Sequence, residues 1–323
     1  MEVNRYTLAD YAEQAGLKGV KMQTIETIVD CEPLFATAPM LPCNNGTFNI
    51  TEVNTVYPKG QTRGYNQGVA AEKTGSKMVQ DNTCMISTYN EIDKKIVQNN
   101  GNSAEWRARK DKAFVRGLSH SVAERLFNAS LKRDPNEFDG FATRYNKIND
   151  CVINAGGTTG SNNLTDIWLI NWGVDTAHLI YPESGVAGLQ QYFDPDVDAY
   201  DKDGKLFKAD RTRFEWDIGL AIPDYMQVIR IANVDVAKAT AGEIKLIDLL
   251  TEATERLPGD ANAGAMFYMN RELRTALRLQ ISAKPNVNLT WEGAEGKKVL
   301  NWDGIAIHKT VKSVIPMYST QLK

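Results

Sequence analysis

The residues best suited to chemistry in this sequence form one glycine-rich pattern and one acidic pattern. Residues 156–161 read Gly-Gly-Thr-Thr-Gly-Ser, but they lack the lysine with which loops of the G-x-x-x-x-G-K-[ST] type neutralise phosphate. Asp194, Asp196 and Asp198 have the spacing that opens a calcium-binding loop. The glycine and the bidentate glutamate that such a loop needs are replaced by alanine and lysine. We therefore interpret the first pattern as a flexible loop and the second as an acidic hairpin.

Nucleophilic and metal-binding residues are scattered rather than grouped. His120, His178 and His308 belong to no H-E-x-x-H motif, and no serine lies in a G-x-S-x-G motif. We expect no enzyme, no catalytic residues, no metal and no cofactor. The enzyme alternative is a cytosolic α/β hydrolase-like protein that uses Asp166, His178 and a serine. No C-x-x-C pair is present, so we expect free thiols at Cys31, Cys43, Cys84 and Cys151.

The composition is that of a globular chain that does not bind nucleic acid over its whole surface. The 323 residues carry a formal net charge of −3, with 42% hydrophobic and 24% charged residues. A sequence-wide nucleic-acid binder would normally be basic. The first residues lack the apolar core of a signal peptide, and no run approaches the ~18 apolar residues of a membrane span. We expect one large domain or two modest ones, with no membrane association.

The first hundred residues show little capacity to form a core of their own. Within residues 1–45, short helices are predicted over Leu8–Ala15 and Met22–Val29, before prolines interrupt regular structure. Residues 46–100 predict two strands joined by a long glycine-containing tip. A two-stranded ribbon is marginal alone in water. Both segments are therefore expected to pack along another surface.

The rest of the chain alternates helices and strands. Residues 102–133 predict the longest helix, about 45 Å long. Asn102 or Ser103 would cap it, and Asp134-Pro135 would end it. Alternating apolar residues over 214–222 predict a half-buried strand. Further strands are predicted near 167–171, 177–181, 228–236, 266–269, 289–291, 299–300 and 305–311, and helices near 246–253 and 270–281.

The order of these elements, together with several short segments, resembles the major capsid proteins of tailed bacteriophages. One podophage-type family is similar in detail, and the similarity covers nearly the whole chain. Each segment alone is weakly specific, but their occurrence in the same order is fairly specific. The segments are Thr7–Asp10, Ile25–Val29, Arg63–Gly68, Thr165–Gly173, Gly185–Leu189, Trp216–Leu220, Val228–Asn233 and Trp302–Ile307.

This resemblance implies an α+β chain with the Hong Kong 97 type fold. The implied function is structural: pentamers and hexamers of the chain would form an icosahedral phage head around double-stranded DNA, without sequence-specific binding. The protein would reside in the virion after assembly in the host cytoplasm, with a scaffolding protein, a portal and a decoration protein as further partners. The alternative with the same fold is a protein nanocompartment shell of the encapsulin type.

The resemblance also implies boundaries for the parts of the fold. They are an N-arm at 1–45, an E-loop hairpin with adjoining strands at 46–100, the spine helix of the peripheral domain at 101–140, a mixed β region leading from the peripheral to the axial domain at 141–265, and the axial-domain helix with closing strands at 266–323.

Local charge suggests how copies of the chain would meet. Residues 57–77 contain four basic residues and one acidic residue, a local charge of +3, whereas residues 1–45 contain three basic and six acidic residues, a local charge of −3. We expect the E-loop tip of one copy to dock on acidic surface of the next, including its arm. Because exposed ion pairs contribute little individually, two ordinary soluble surfaces are the alternative. The expected contact residues are Lys59, Arg63, Asn66 and Lys73.

Overall fold

Two β-sheets with helices packed against them make up the computed structural model of the chain. The structure describes residues 7–8, 20–56, 58–101, 104–160, 163–259, 264–282, 289–294 and 297–323. The strands are β1 Met40–Pro42, β2 Phe48–Val56, β3 Gly75–Asp93, β4 Val152–Asn154, β5 Leu164–Asn171, β6 His178–Tyr181, β7 Gln190–Tyr200, β8 Leu206–Ala221, β9 Val228–Asp235, β10 Ala265–Asn270, β11 Leu289–Ala294, β12 Lys297–Trp302 and β13 Ile305–Thr310. The helices are α1 Val20–Cys31, α2 Leu34–Thr37, α3 Lys94–Asn99, α4 Ala104–Asn128, α5 Phe141–Arg144, α6 Val236–Ala241, α7 Leu246–Arg256 and α8 Arg271–Ser282, with a 3-10 turn at Tyr225–Gln227. The predicted α+β class is confirmed.

The first sheet carries the long hairpin. Its strand order is β1-β6-β8-β3-β2, and β7 also pairs with β8. Strand β3 serves two partners, because residues 75–82 pair with β2 and residues 83–93 pair with β8. Strand β8 alternates as predicted: Phe214, Trp216 and Ile218 are buried, and the residues between them are partly exposed. One strand of the hairpin, β3, therefore extends into the first sheet of the body, where it pairs with β8.

The second sheet lies at the centre of the remaining body, in the order β11-β12-β13-β10-β5-β9-β4. All eight residues of β9 are buried, as expected for a strand covered on both faces. Two pairings are parallel, β4 with β9 and β10 with β13, so they require crossover connections rather than hairpins. Helix α8 begins where the sequence predicts, because Asn270 Oδ1 accepts a hydrogen bond from the Leu273 amide at 2.9 Å.

A continuous cluster of buried side chains joins the two sheets. The ring of Phe127, from α4, lies 5.4 Å from that of Phe141, 5.8 Å from that of Trp168 and 6.3 Å from that of Tyr268. Indole Nε1 of Trp172 donates to the Tyr268 hydroxyl at 2.8 Å, which satisfies the polar atom of a buried ring. Full burial of one such apolar ring contributes about 1.5–3 kcal/mol. Helix α4 also reaches the first sheet, because its Phe114 ring stacks at 5.9 Å on that of Phe214 in β8.

The long helix is shorter than predicted. Helix α4 has 25 residues, about 38 Å at 1.5 Å per residue, and it ends at Asn128 rather than at Asp134-Pro135. The Asn128 side chain donates to the Val314 carbonyl at 2.8 Å. In the loop that follows, Ser130 and Leu131 donate their amides to the carboxylates of Glu137 and Asp139. Side chains thus replace helical carbonyls as acceptors, and the helix ends early. The predicted caps, Asn102 and Ser103, lie outside the described residues.

The described part of the arm packs on the body of its own chain and, as expected, forms no separate core. Ile28, Leu34 and Phe35 are fully buried, and the Phe35 ring lies 5.0 Å from that of Trp216. Strand β1 pairs in parallel with β6. The predicted helix over Met22–Val29 is confirmed as part of α1, whereas the one over Leu8–Ala15 falls largely outside the described residues. The arm has no core of its own because its apolar residues complete the main one.

The two strands predicted around residues 172–175 are confirmed, but they separate into different sheets. Strand β5 belongs to the second sheet and β6 to the first. The turn between them closes through the amide of Gly173, which donates to the carbonyl of Ala177 at 3.0 Å. Trp172, at the start of this turn, is 2% exposed. This turn is therefore a crossing point between the sheets rather than the tip of a β-hairpin.

Candidate assembly surface

The segment between β2 and β3 is the most exposed part of the first sheet. We refer to residues 58–74 as the hairpin tip, and every residue in it is exposed. The amide of Gly60 donates to the Glu72 carboxylate at 3.3 Å, and the Gln67 amide donates to the Gly64 carbonyl at 3.3 Å. Tyr65 is 101% exposed. The tip therefore keeps a loop shape through local bonds while presenting nearly all its side chains outward.

The residues predicted to make assembly contacts all lie on this hairpin tip. Lys59, Arg63, Asn66 and Lys73 are exposed, and none of the three cations forms an ion pair with a described residue. Asn66 adopts a left-handed backbone with φ of 62°, a conformation that asparagine tolerates better than most residues. The structure therefore brings the four residues together on one exposed loop. Whether they contact a neighbouring copy remains a prediction.

The base of the hairpin is anchored by a buried ion pair that the sequence analysis did not identify. Arg144 Nη2 lies 2.7 Å from Asp81 Oδ1, and the Asp81 side chain is 1% exposed. Among the described residues, neither Asp81 carboxylate oxygen has a partner in hydrogen-bonding geometry, so the contact is electrostatic rather than a well-aligned hydrogen bond. Arg144 also donates to the carbonyls of Asp139 and Leu220 at 2.9 and 3.0 Å. It therefore fixes the root of β3 to β8 and to the loop after α4.

Two titratable groups beside this anchor are held neutral by burial. Burial lowers the pKa of His178, although the nearby Asp81 carboxylate acts in the opposite direction. Burial raises the pKa of Cys43 to about 11, and the charge of Asp81 raises it further. A neutral imidazole and a protonated thiol suit a packed structural position. They do not suit a reactive thiolate–imidazole pair.

Gly219 of β8 fills the point where β3, β6 and β8 meet. An added Cβ there would lie 2.5 Å from the Asn82 carbonyl oxygen and 2.9 Å from Ile180 Cγ1. We expect Gly219→Ala to lower the free energy of unfolding by about 1–3 kcal/mol, because it overpacks a rigid site. Urea denaturation followed by circular dichroism measures this change. Gly68→Ala, where an added Cβ meets nothing within 4 Å, is the matched control, and equal losses in the two variants would contradict the prediction.

The arm offers less acidic surface than its charge suggests. Glu32 is fully buried, and its Oε1 lies 2.8 Å from His120 Nδ1 on α4. Burial raises the pKa of the Glu32 carboxyl, and the hydrogen bond with His120 opposes that shift. Glu26 and Asp30 are exposed on α1. At least one of the six acids counted for the arm therefore serves internal packing rather than docking.

The hydrolase-like arrangement is not assembled. Asp166 Oδ2 lies 2.7 Å from Arg230 Nη2, and its Oδ1 accepts from the Tyr318 hydroxyl at 2.6 Å. Its partners are thus a cation and a phenol, whereas His178 lies in the other sheet and hydrogen-bonds backbone at Gly173. The buried network around Asp166 links β5, β9 and the C-terminal segment, and it was not predicted. A local sequence pattern could not have shown it, because its members are 64 and 152 positions apart.

The two local chemical patterns have structural roles. Asp196 and Asp198 form ion pairs with Lys94 of α3 and Lys208 of β8, so their charges are balanced by neighbouring side chains. The glycine-rich loop is bound rather than free, contrary to its interpretation as flexible: Gly157 donates to the Asn233 carbonyl and Gly160 to that of Ser319, both at 3.0 Å. Within the part of the chain that the structure describes, no cluster of three metal-binding side chains occurs.

Helices in the described ranges offer no candidate for membrane insertion, because none is both long enough and apolar enough to cross a bilayer. The four cysteines are unpaired, as predicted. Cys43, Cys84 and Cys151 are buried, whereas Cys31 is partly exposed. Burial raises the pKa of Cys84 to about 12, which keeps this thiol protonated and unreactive at neutral pH.

Comparisons with known proteins relate nearly the whole chain to phage capsid proteins. A family model described as major capsid protein GP7 matches residues 17–313. The structure of bacteriophage Epsilon15 is similar with a TM-score of 0.64 and 26% identity, over 88% of this chain and 88% of that chain. A bacteriophage JBD30 capsid is similar with a TM-score of 0.51 and 10% identity, over 87% and 90% of the two chains.

A weaker similarity is to the holo-SrpI encapsulin complex from Synechococcus elongatus PCC 7942. It has a TM-score of 0.44 and 12% identity, over 68% of this chain and 96% of that chain. No curated protein sequence matches the chain. The predicted resemblance to phage capsid proteins and the predicted Hong Kong 97 type fold are confirmed.

Proposed function

The chain belongs to the GP7 family of major capsid proteins, and on that premise we propose that its hairpin tip is the contact that joins neighbouring subunits in a phage head. The protein is a structural subunit of the virion shell. The observation that supports the proposed contact is the state of the tip: seventeen consecutive residues, 58–74, are exposed. Such a segment gains most of its order by packing on another surface.

Charge supports a polar rather than an apolar contact at the tip. Lys59, Arg63 and Lys73 are exposed on one loop, and Glu72 is used to hold the Gly60 amide. Glu26, exposed on α1, supplies an acidic position for a neighbouring copy to present. Each exposed ion pair contributes about 0.2–1 kcal/mol. Repetition over every subunit of a closed shell would multiply these small gains.

We propose pentamers and hexamers as the rings that these contacts close, because heterologous contacts between identical subunits form rings when the rotation closes. Double-stranded DNA would be enclosed rather than gripped, since the chain carries a formal net charge of −3. A scaffolding protein, a portal and a decoration protein are proposed as further partners, with assembly in the host cytoplasm. Nuclease-protected DNA in purified particles would separate this function from the nanocompartment alternative, whose cargo is protein.

Charge reversal of the tip tests the proposed contact. We expect Lys59→Glu with Arg63→Glu to reduce the yield of sedimenting particles at least tenfold, because two attractive contacts per subunit become repulsive. The change would be measured by gradient sedimentation and negative-stain microscopy of the full-length chain. The tip has no described ion pair within its own chain, so the urea midpoint of the unassembled chain should stay unchanged.

A second pair of reversals controls for total charge. Lys147→Glu with Lys202→Glu makes the same change in net charge at exposed positions outside the tip, and we expect it to leave particle yield within twofold of the wild type. If the tip variant assembled normally while its stability was unchanged, the proposed contact would be wrong. Membership of the capsid family would be unaffected by that result.

A further inference from the structure

Over residues 84–93, one side of β3 has no described strand beside it. Thr83 is paired with Gly219 of β8, yet its amide donates to the Thr47 carbonyl at 3.2 Å, on the side away from β8. In an antiparallel ladder the N–H and C=O of one residue point to the same side, and successive residues alternate sides. The odd-numbered residues of β3 therefore direct their backbone polar groups away from β8.

Beyond Thr83 nothing described takes up those groups. The ladder between β2 and β3 ends at Asn82, and the ladder with β8 continues without a register shift to Asp93. Met85, Ser87 and Tyr89 thus present backbone donors and acceptors along an edge that no described strand occupies. We refer to the stretch from Met85 to Tyr89 as the open edge.

The open edge lacks the devices that normally protect a sheet from pairing with another chain. Exposed edges usually carry lysine, proline, a bulge or a covering loop. Residues 84–90 read Cys-Met-Ile-Ser-Thr-Tyr-Asn, with neither charge nor proline. Met85 is 85% exposed and Tyr89 is 51% exposed. An uncharged edge with two exposed large side chains is typical of a strand that pairs in the assembled state.

The surface beside the open edge leaves space for a second strand. Ile86 and Thr88 line a groove against α4, together with Phe114, Gly117 and Ser121. An added Cβ at Gly117 would meet no atom within 4 Å. Open space therefore lies between α4 and the edge, and side chains from an added strand could enter the groove.

We propose that the open edge pairs with the same edge of a second copy, antiparallel and about a two-fold axis at Ser87, so that one sheet continues across two subunits. The sequence is self-complementary in this register. Met85 lies opposite Tyr89, Ile86 opposite Thr88, and Ser87 opposite its own counterpart. Contacts between methionine sulfur and an aromatic ring are favourable, and such cross-strand pairs are the unit of sheet stabilisation.

Neighbouring registers fit less well. An axis at Met85 would place Tyr89 against Asp81, whose backbone is already paired with β2. An axis at Tyr89 would place Met85 against Asp93, an apolar side chain against a carboxylate. The axis at Ser87 is therefore the one that places the two exposed large side chains opposite each other, in a ladder limited to residues 85–89 because Thr83 is already bonded to Thr47. This proposal uses the self-association of the capsid family, but it does not depend on the contact proposed for the hairpin tip.

A single cysteine distinguishes the two-fold pairing from every other occupant of the edge. Only a two-fold axis places residue 87 opposite itself, at a Cα separation of about 5.5 Å that a disulfide can bridge. We expect Ser87→Cys in assembled full-length particles to give a cross-linked dimer as the major species on a non-reducing gel after mild oxidation. Ser76→Cys, exposed on the same strand but paired with β2, should give at most a tenth as much dimer.

Two outcomes of this experiment overturn the proposal. One is the absence of dimer in Ser87→Cys particles. The other is a disulfide in mixed particles between Ser87→Cys and Ala70→Cys copies but not between two Ser87→Cys copies, which would assign the edge to the hairpin tip of a neighbour.

Variants that disturb only the pairing give an independent readout. The Ser87 amide points to the open edge, so Ser87→Pro should fold with a urea midpoint near that of the wild type while lowering particle yield at least tenfold. Met85→Lys and Tyr89→Glu should each lower particle yield, and the double variant should restore it, because the two positions face each other across the axis. Failure of the double variant to exceed both single variants would contradict the register.

Discussion

Replacing Arg230 with methionine is expected to lower the free energy of unfolding by about 3–5 kcal/mol, because it strands a buried carboxylate. Arg230 Nη2 lies 2.7 Å from Asp166 Oδ2, with side-chain exposures of 8% and 9%. Its Nη1 donates to the Tyr145 carbonyl at 2.7 Å, and its guanidinium lies 5.1 Å from the centre of the Trp168 ring. Methionine retains much of the stem but none of the donors. Chemical denaturation of the unassembled chain measures the loss.

The rest of the network explains why the cost should be large. The Tyr318 hydroxyl donates to Asp166 Oδ1 at 2.6 Å and accepts from the Asn233 amide at 2.8 Å. Burial raises the pKa of Tyr318, and the Asp166 charge raises it further, so the phenol stays a donor at neutral pH. Without Arg230, the buried Asp166 carboxylate would lose its only cation and would keep the Tyr318 hydroxyl as its hydrogen-bond donor. The C-terminal segment, which Tyr318 ties to β9, should loosen as well.

An exposed ion pair supplies the matched control. Arg256 Nη2 lies 2.6 Å from Glu252 Oε1 on α7, with side-chain exposures of 34% and 46%. Arg256→Met also removes exposed hydrogen bonds to the Asn149 and Asp150 carbonyls, and it should lower stability by about 1 kcal/mol, because exposed pairs contribute little. The double variant Arg230→Met with Asp166→Leu should recover part of the loss, since no buried charge is then left alone. Equal losses of unfolding free energy in Arg230→Met and Arg256→Met would show that burial does not increase the contribution of the Arg230–Asp166 pair.

Local features of this fold were readable from the sequence because their physical causes are local. From 214 to 218 the predicted alternation reports one buried face of β8, and the period of 2 is a property of the strand itself. Asn270 precedes α8 by one residue, so its capping bond is formed within one helical turn. The hairpin tip was readable for a related reason: a long glycine-containing stretch between strands has no short-range means of forming a core.

Features that depend on distant partners were not readable. Phe35 appeared as part of an arm without a core, but its ring packs on Trp216, 181 positions later in the chain. Asp166 was considered with His178, yet its partners are Arg230 and Tyr318. The open edge of β3 depends on where β2 stops pairing and on which side β8 lies. Register and strand order decide such features, and a single sequence carries little information on either.

The second large effect concerns acid and arises at His308. Burial lowers the pKa of His308 to about 4, and the positive charge of Arg274 contributes to the shift. The imidazole ring stacks at 5.6 Å on the buried ring of Tyr268, and its Nε2 has no hydrogen-bond partner among the described residues. The folded chain therefore holds this side chain neutral within an aromatic contact, whereas the unfolded chain protonates it near its ordinary pKa.

The sign of the pH dependence follows from that difference. Below pH ~6.5 the unfolded state binds the proton first, so the contribution of His308 to stability is complete above this pH and is lost as the pH falls towards about 4. The shift corresponds to at most about 3 kcal/mol.

We expect His308→Phe, which keeps a ring beside Tyr268, to remove this contribution, so that the variant gains stability relative to the wild type between pH 7 and pH ~4.5. Urea titrations at a series of pH values measure the difference. His178, whose pKa burial also lowers, is present in both proteins and cancels from the comparison. Parallel stability curves for the two proteins would show that His308 titrates normally and that its packing does not exclude the charged form.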